Sequence, residues 1–208
     1  MSDSVWTTST GQQRIVVNVG CGPALTLTRT PLFQDWRQIR VDIEESAKPD
    51  IVADLTDLSP IYDGTANAVW SSHCIEHLYQ HQVPGALNEF YRVLAEDGFL
   101  VILVPDLQSV AEFVAADKFH EPVYEAPAGS INAHDMFYGF GRAIAGGDTA
   151  MAHKCGFTPT ILVNLLSQTQ FAEFAIRRLP SLELAVVARK ILGTTETNCE
   201  ALLHALAL

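Results

Sequence analysis

Five short apolar runs mark the first half of the chain, each closing on a small or polar residue. "RIVVNVG" (Arg14 to Gly20) is β-branched and ends in glycine, as a buried strand should. "RQIRVDI" alternates Ile39, Val41 and Ile43 and predicts a second strand. "DIVADL" (Asp50 to Leu55) and "ANAVWSS" (Ala66 to Ser72) predict a third and a fourth. "GFLVILVP" (Gly98 to Pro105) is apolar throughout, the mark of a strand covered on both faces.

Helical spacing lies between and after these runs. From Val83 to Glu96, Leu87, Phe90, Tyr91 and Leu94 fall at i, i+3, i+4 and i+7, with Glu89 and Arg92 opposite. Asp97-Gly98 is expected to stop that helix and start the next strand. A second helix is predicted after Pro105, through Val110 and Val114. A third starts with Thr158 as N-cap and Pro159 at its first position. "FAIRRL" and "ELAVVARK" read as two late strands joined by "PSLE", a terminal hairpin that adds an antiparallel strand. "CEALLHALAL" reads as a short helix with one apolar face. Strands alternating with helices predict an α/β fold, a parallel sheet covered on both sides.

The segment at about 119–156 breaks this rhythm. It holds six of the 13 glycines, together with His134, Asp135, Phe137, Tyr138 and His153. A stretch this long with little periodicity is expected to be functional, and its aromatic and histidine content suggests a substrate lid. The expected organisation is a flexible tail over 1–13, one domain over 14–192 with this insertion, and a tail helix over 193–208.

Composition narrows the function. The chain has 208 residues, is 48% hydrophobic and carries a net charge of −11. That suits one domain with a substantial core and argues against nucleic acid, whose phosphates need clustered Lys and Arg. No run approaches the roughly 18 apolar residues of a membrane span. The polar N-terminus has neither the basic nor the apolar region of a signal peptide. Cys21, Cys74, Cys155 and Cys199 are widely spaced, which suits a reducing cytoplasm better than a disulfide framework.

In open α/β sheets, ligands bind beyond the carboxyl ends of the strands. The first such end is "NVGCGPAL". Gly20 and Gly22 let backbone approach a ligand closely. A dinucleotide fingerprint would place a third glycine where Leu25 stands, and little room remains for a full crossover helix before the next strand. The loop therefore suits a nucleoside without phosphates. Asp42, with Ile43 beside it, ends the second strand roughly 20 residues after Gly20, the spacing of an acidic ribose ligand. Asp54 is placed to accept from an adenine amino group and Leu55 to pack on the ring.

The motifs "VNVGCGP", "VDI", "DIVADLTDL", "SSHCIEHL", "LNEFYRVLAEDGFLVILVPDL" and "AHKCGFT" occur in this order. Together they resemble the class I S-adenosylmethionine-dependent methyltransferases, in particular the type 11-like branch of predicted bacterial methyltransferases. The resemblance runs from about Arg14 to Arg189. It implies a Rossmann-like seven-stranded sheet in the order 3-2-1-4-5-7-6 with strand 7 antiparallel. It implies S-adenosyl-L-methionine as cofactor and a small or medium-sized acceptor. Gly20, Cys21 and Gly22 would lie against the cofactor, Asp42 on the ribose, and Asp54 and Leu55 on the adenine. Ser72 and His73 would flank the methionine end. Asn18 stands where many relatives carry an acidic residue, and its amide would act through a water.

"SSHCIEHL" also spells H-x-x-E-H, the signature of one zinc peptidase group. Such a site needs both histidines on one helical face, whereas His73 directly follows a strand. No metal is therefore expected, and His73 and His77 are expected to face the cofactor pocket. His73, His134 and His153 are the candidate general bases, because imidazole titrates near neutral pH. Asp106 is a further candidate for the pocket wall. Two other readings stand beside methyl transfer. One is a non-catalytic cofactor-binding module or partner subunit, with Leu202, Leu203 and Leu206 as a homodimer contact. The other is an NAD-dependent oxidoreductase.

Overall fold

The computed structural model describes residues 13–23, 27, 30–126 and 129–208. The polar tail expected over 1–13 thus lies, but for its last residue, outside the described residues, as does Leu25. Strands β1 (Ile15–Val19), β2 (Arg37–Asp42), β3 (Ile51–Val52) and β4 (Ala66–Ser72) precede helix α1 (Val83–Val93). Strand β5 (Leu94–Pro105) and helix α2 (Leu107–Ala115) follow. The insertion contributes strands β6 (Pro122–Ala126) and β7 (Gly129–Asn132) and helices α3 (Ala133–Tyr138) and α4 (Gly141–Ala145). Helix α5 (Pro159–Leu166), strands β8 (Glu173–Leu179) and β9 (Glu183–Arg189) and helix α6 (Cys199–Ala205) complete the chain.

Seven strands form one sheet in the order β3-β2-β1-β4-β5-β9-β8. With the insertion hairpin set aside, this is the expected 3-2-1-4-5-7-6 order. β9 is antiparallel to both neighbours, with Leu100 opposite Ala188 and Ala175 opposite Val187. The sheet is apolar on both faces, which is why its strands read as continuous hydrophobic runs. Along β5, Leu100, Ile102 and Val104 point to one core, with Leu87 and Phe90 of α1 and Leu162 and Leu166 of α5. Phe99, Val101 and Leu103 point to the other, with Trp70, Phe33 and the leucines of α6.

Three boundaries differ from the sequence expectation. α1 ends at Val93 rather than running to Glu96, because Leu94 already pairs with Ala66 of β4 across a register shift. Backbone groups beyond Val93 find partners in a neighbouring strand, and that pairing overrides local helix propensity. β3 is two residues long instead of six. The Asp54 carboxylate accepts the Thr56 N–H at 2.8 Å and turns the chain away from the sheet edge. The 119–156 segment is not a structureless loop. Its hairpin and α3 cover a small third core containing Val110, Ala133, Met136 and Leu182.

Asp106 is fully buried and caps α2, accepting from the Gln108 N–H at 3.1 Å and the Ser109 hydroxyl at 2.7 Å, with Arg178 at 3.0 Å. It is a structural cap and does not line the pocket described below. The apolar face of α6, expected as a dimer contact, is used within the chain. Leu202 and Leu203 are 0% exposed and Leu206 is 4% exposed, all against the sheet. That correction removes the surface on which the dimer expectation rested.

Leu203→Ala is expected to cost about 2–5 kcal/mol in urea denaturation, the range for truncating a buried leucine. Leu192→Ala, at a site 73% exposed, should stay within about 0.5 kcal/mol of the parent protein.

Candidate functional site

A pocket of about 610 Å³ opens at the carboxyl ends of the parallel strands. Small-molecule sites span roughly 300–1,000 Å³, so it is large enough for a nucleoside with an attached side chain. The loop after β1 forms one wall. Gly20 and Gly22 both take left-handed backbone, at φ 60° and 56°. At Gly20 a β-carbon would meet the Cys74 sulfur at 2.3 Å, so the loop lies directly on the turn after β4. At Gly22 a β-carbon would meet nothing within 4 Å, because this glycine faces the open pocket. Between β1 and β2, the one element named among the described residues is a 3-10 turn at Pro31–Phe33. The expectation of an abbreviated crossover falls in part on residues 24–26 and 28–29, outside the described residues.

Asp42 ends β2 and is 9% exposed on the pocket wall. Its two carboxylate oxygens accept the Gly22 N–H at 2.8 Å and the Glu44 N–H at 2.9 Å. The carboxylate is therefore fixed while each oxygen keeps a lone pair for a ligand hydroxyl. Arg40, two residues earlier on the same strand face, donates to the carbonyls of Gly22 at 2.7 Å and Ala47 at 3.0 Å. It locks the loop after β1 to the turn after β2. Ile43, Asp54 and Leu55 also line the pocket, as expected. Asn18 does not. It is buried behind the wall, and its side-chain N–H₂ has no partner among the described residues. Cys21 is likewise buried, and burial pushes its thiol up. Neither it nor Ser72 lines the pocket.

The turn after β4 carries the densest chemistry. The His73 N–H continues the β4–β5 ladder to the Leu103 carbonyl at 2.9 Å, and then His73 itself turns left-handed at φ 53°. That reversal places Cys74 beneath Gly20, with its sulfur 3.1 Å from the Val19 carbonyl. Burial pushes the Cys74 thiol up, so it packs as a neutral group. Ile75–His77 is a single 3-10 turn rather than the first turn of a longer helix. Within it, Glu76 is 1% exposed and neither carboxylate oxygen has a hydrogen-bond partner among the described residues. The His73 Nδ1 stands 3.4 Å from its Oε1.

His73 Nε2 lies 2.5 Å from Oε1 of Glu183, the first residue of β9. Burial alone would lower the imidazole's pKa, but Glu183 and Glu76 outweigh it and raise it from 6.5 to about 10. His73 is thus held cationic at neutral pH and does not serve as the general base expected of it. His134 is also misplaced for that role. It lies outside the pocket wall, its ring 5.3 Å from His120 and 5.2 Å from Phe119. The left-over imidazoles are His77 and His153, with ring centroids 4.9 Å apart. Burial lowers the pKa of His153, which keeps it neutral. His77 lines the pocket and His153 stands behind it.

Several site residues were not foreseen from the sequence. Asp148, Ala150, Met151 and Lys154 of the insertion form the far wall. Glu183 reads from the sequence only as the junction of the "PSLE" turn and the last strand. Arg40 left one legible signal, a charge two positions before Asp42 and therefore on its strand face.

Residues 17–102 match the family described as a methyltransferase domain. No curated protein matches the chain. Many solved structures share its fold. A SAM dependent methyltransferase from Archaeoglobus fulgidus superposes with a TM-score of 0.58 at 18% identity, over 86% of this chain and 87% of that one. A 1,6-didemethyltoxoflavin-N1-methyltransferase from Burkholderia thailandensis, solved with 1,6-didemethyltoxoflavin and S-adenosylhomocysteine, gives 0.55 at 15% identity, over 91% and 76%. The PH0226 protein of Pyrococcus horikoshii OT3 gives 0.55 at 16%, over 86% and 84%. At these identities the likeness is one of fold.

Two outcomes test this geometry. Gly20→Ala is expected to destabilise the protein by more than the roughly 1–2 kcal/mol of left-handed alanine backbone, because its β-carbon also strikes Cys74. Adding Cys74→Ala should recover the steric part and leave the backbone part, as a double-mutant cycle in urea would read. For His73, the folded protein binds the proton more tightly than the unfolded chain. Its stabilising contribution is therefore complete below about 6.5 and lost as pH rises through about 10. In Glu183→Gln the NMR titration midpoint of His73 should fall from about 10 toward 6.5.

Proposed function

We propose that this chain, whose residues 17–102 carry a methyltransferase domain, is an S-adenosylmethionine-dependent methyltransferase acting on a small-molecule acceptor. One observation carries the reading. A pre-fixed carboxylate, Asp42, and an open glycine, Gly22, stand hydrogen-bonded side by side on the wall of a pocket at the carboxyl ends of the strands. The residues present fit the cofactor. Asp42 has lone pairs free for both ribose hydroxyls. Asp54 offers a carboxylate to the adenine amino group, and Ile43 and Leu55 offer apolar surface to the ring. Gly22 leaves space for the ligand to run along the loop toward His73 and His77.

The cofactor supplies an activated methyl group, and the nucleophile belongs to the acceptor. What the chain contributes is alignment, worth roughly 7–11 kcal/mol when donor and acceptor are held in line. Ala150 and Met151 of the insertion add apolar surface to the pocket beside the charged Asp148 and Lys154. The insertion acts in this reading as the acceptor-binding lid. A small-molecule acceptor is the class bound by the Burkholderia thailandensis enzyme. Four free cysteines suit a reducing compartment, and among the described residues no helix is long and apolar enough to cross a membrane.

Calorimetric titration with S-adenosylmethionine, S-adenosylhomocysteine and NAD tests the assignment. Binding of the first two and not of NAD is expected. Asp42→Ala should weaken it by about 10- to 150-fold, the worth of roughly 1.5–3 kcal/mol for hydrogen bonds to a charged group. Unchanged affinity in that variant would overturn the placement of the ribose.

A further inference from the structure

Glu76, His77 and His153 meet behind the pocket wall, with only His77 on the wall itself, and the cofactor reading uses none of their distinctive features. One carboxylate oxygen and one ring nitrogen from each histidine lie within 4.8 Å of one another. Ligands about 2.0–2.2 Å from a tetrahedral ion stand about 3.3–3.6 Å apart, so side-chain adjustments of about 1 Å complete the set. The Glu76 carboxylate is the second observation. It is 1% exposed, and neither oxygen accepts a hydrogen bond from any described residue. Its ion pair with His73, at 3.4 Å, is shared with Glu183 on the other ring nitrogen, so a buried carboxylate that accepts no hydrogen bond gains further compensation from a second cation.

The imidazoles are oriented for the same purpose. His77 Nδ1 is 3.2 Å from the Ala152 carbonyl, and His153 Nδ1 is 3.1 Å from the Met136 carbonyl. A carbonyl can only accept, so each Nδ1 carries the hydrogen and each Nε2 keeps its lone pair. Metal-bound histidines are held in this way, with the second ring N–H fixed by a backbone carbonyl. The Glu76 carbonyl in turn accepts the N–H groups of Lys154 at 2.8 Å and Cys155 at 3.2 Å. These two bonds bring the segment that carries His153 onto the turn that carries Glu76 and His77.

We propose that Glu76, His77 and His153 form a two-histidine, one-carboxylate site for a divalent transition-metal ion of the zinc class. Such a set leaves coordination positions open. His77 lines the pocket, so an open position faces it. There the ion takes an oxygen of a bound molecule and lowers the pKa of its hydroxyl. That last role rests on the methyl-transfer reading, whereas the metal site itself does not. The H-x-x-E-H letters thus supply two ligands, Glu76 and His77. The third comes from the insertion, and His73 falls outside the set.

The test is titration of the chelator-treated full-length protein with Zn²⁺, and with Co²⁺ as a coloured probe. One equivalent per chain is expected, with a tetrahedral or five-coordinate Co²⁺ spectrum. Glu76→Gln and His153→Ala should each weaken Zn²⁺ binding at least about 100-fold. His81→Ala, at an exposed histidine away from the pocket, should change nothing. Thermal melts and S-adenosylhomocysteine titration of each variant show whether it is folded. If His153→Ala does not fold, Glu76→Gln, of nearly equal shape, decides. No stoichiometric binding by the parent protein overturns the proposal, and so does binding that survives in folded Glu76→Gln. Metal binding without any S-adenosylhomocysteine binding would instead remove the cofactor reading and leave the metal site standing.

Discussion

The arrangement at the ligand end of the sheet depends on one buried carboxylate. Glu76 is removed from water in a single 3-10 turn, and a charge in that position must be compensated. His73 approaches it from one side and the His77–His153 pair from the other. The backbone of the same residue holds the insertion, through the Lys154 and Cys155 N–H groups. The left-handed turn at His73 sets the direction of all of this, and it also puts Cys74 where only a glycine fits opposite. Five residues therefore tie together the loop after β1, the start of β9 and the insertion.

The antiparallel strand has a specific part in that tie. β9 runs against its neighbours, so its first residue, rather than its last, reaches the carboxyl ends of the parallel strands. Glu183 is that residue. A parallel strand in the same position would present its final side chains there, and its first carboxylate would lie at the opposite edge. The topology thus delivers a second carboxylate to His73 from a part of the chain 110 residues away. The α6 leucines hold the outer two strands from behind, which gives the tail helix a bearing on the site although it lies on the other face.

The same contrast explains what was legible in the sequence. That Gly20, Gly22, Asp42, Ile43, Asp54 and Leu55 line the pocket was readable because each sits at or just beyond a strand end, and strand ends follow from local hydrophobic pattern. The sheet order followed from the alternation of strands and helices together with the family resemblance. Glu183 and the far pocket wall were not readable, because their positions depend on pairings between distant segments. His134 illustrates the limit. Its residue type and setting suit a base, yet it faces an aromatic cluster with Phe119 and Tyr138. The end of α1 was misread for a related reason, since strand pairing at Leu94 won over a pattern that continued as helix.

The pocket therefore has two walls of different origin. The wall built from strand ends is rigid. Its polar atoms are pinned by backbone N–H groups, and Arg40 fastens the two loops that carry them. The opposite wall belongs to the insertion and is tied to the turn after β4 through the Glu76 carbonyl and through the His77 ring, 3.2 Å from the Ala152 carbonyl. A rigid wall suits a ligand that is the same in every turnover, and a separately built wall suits one that differs between family members. His153 reaches from the second wall to the first. A ligand held between His77 and His153 would therefore touch both the turn after β4 and the insertion.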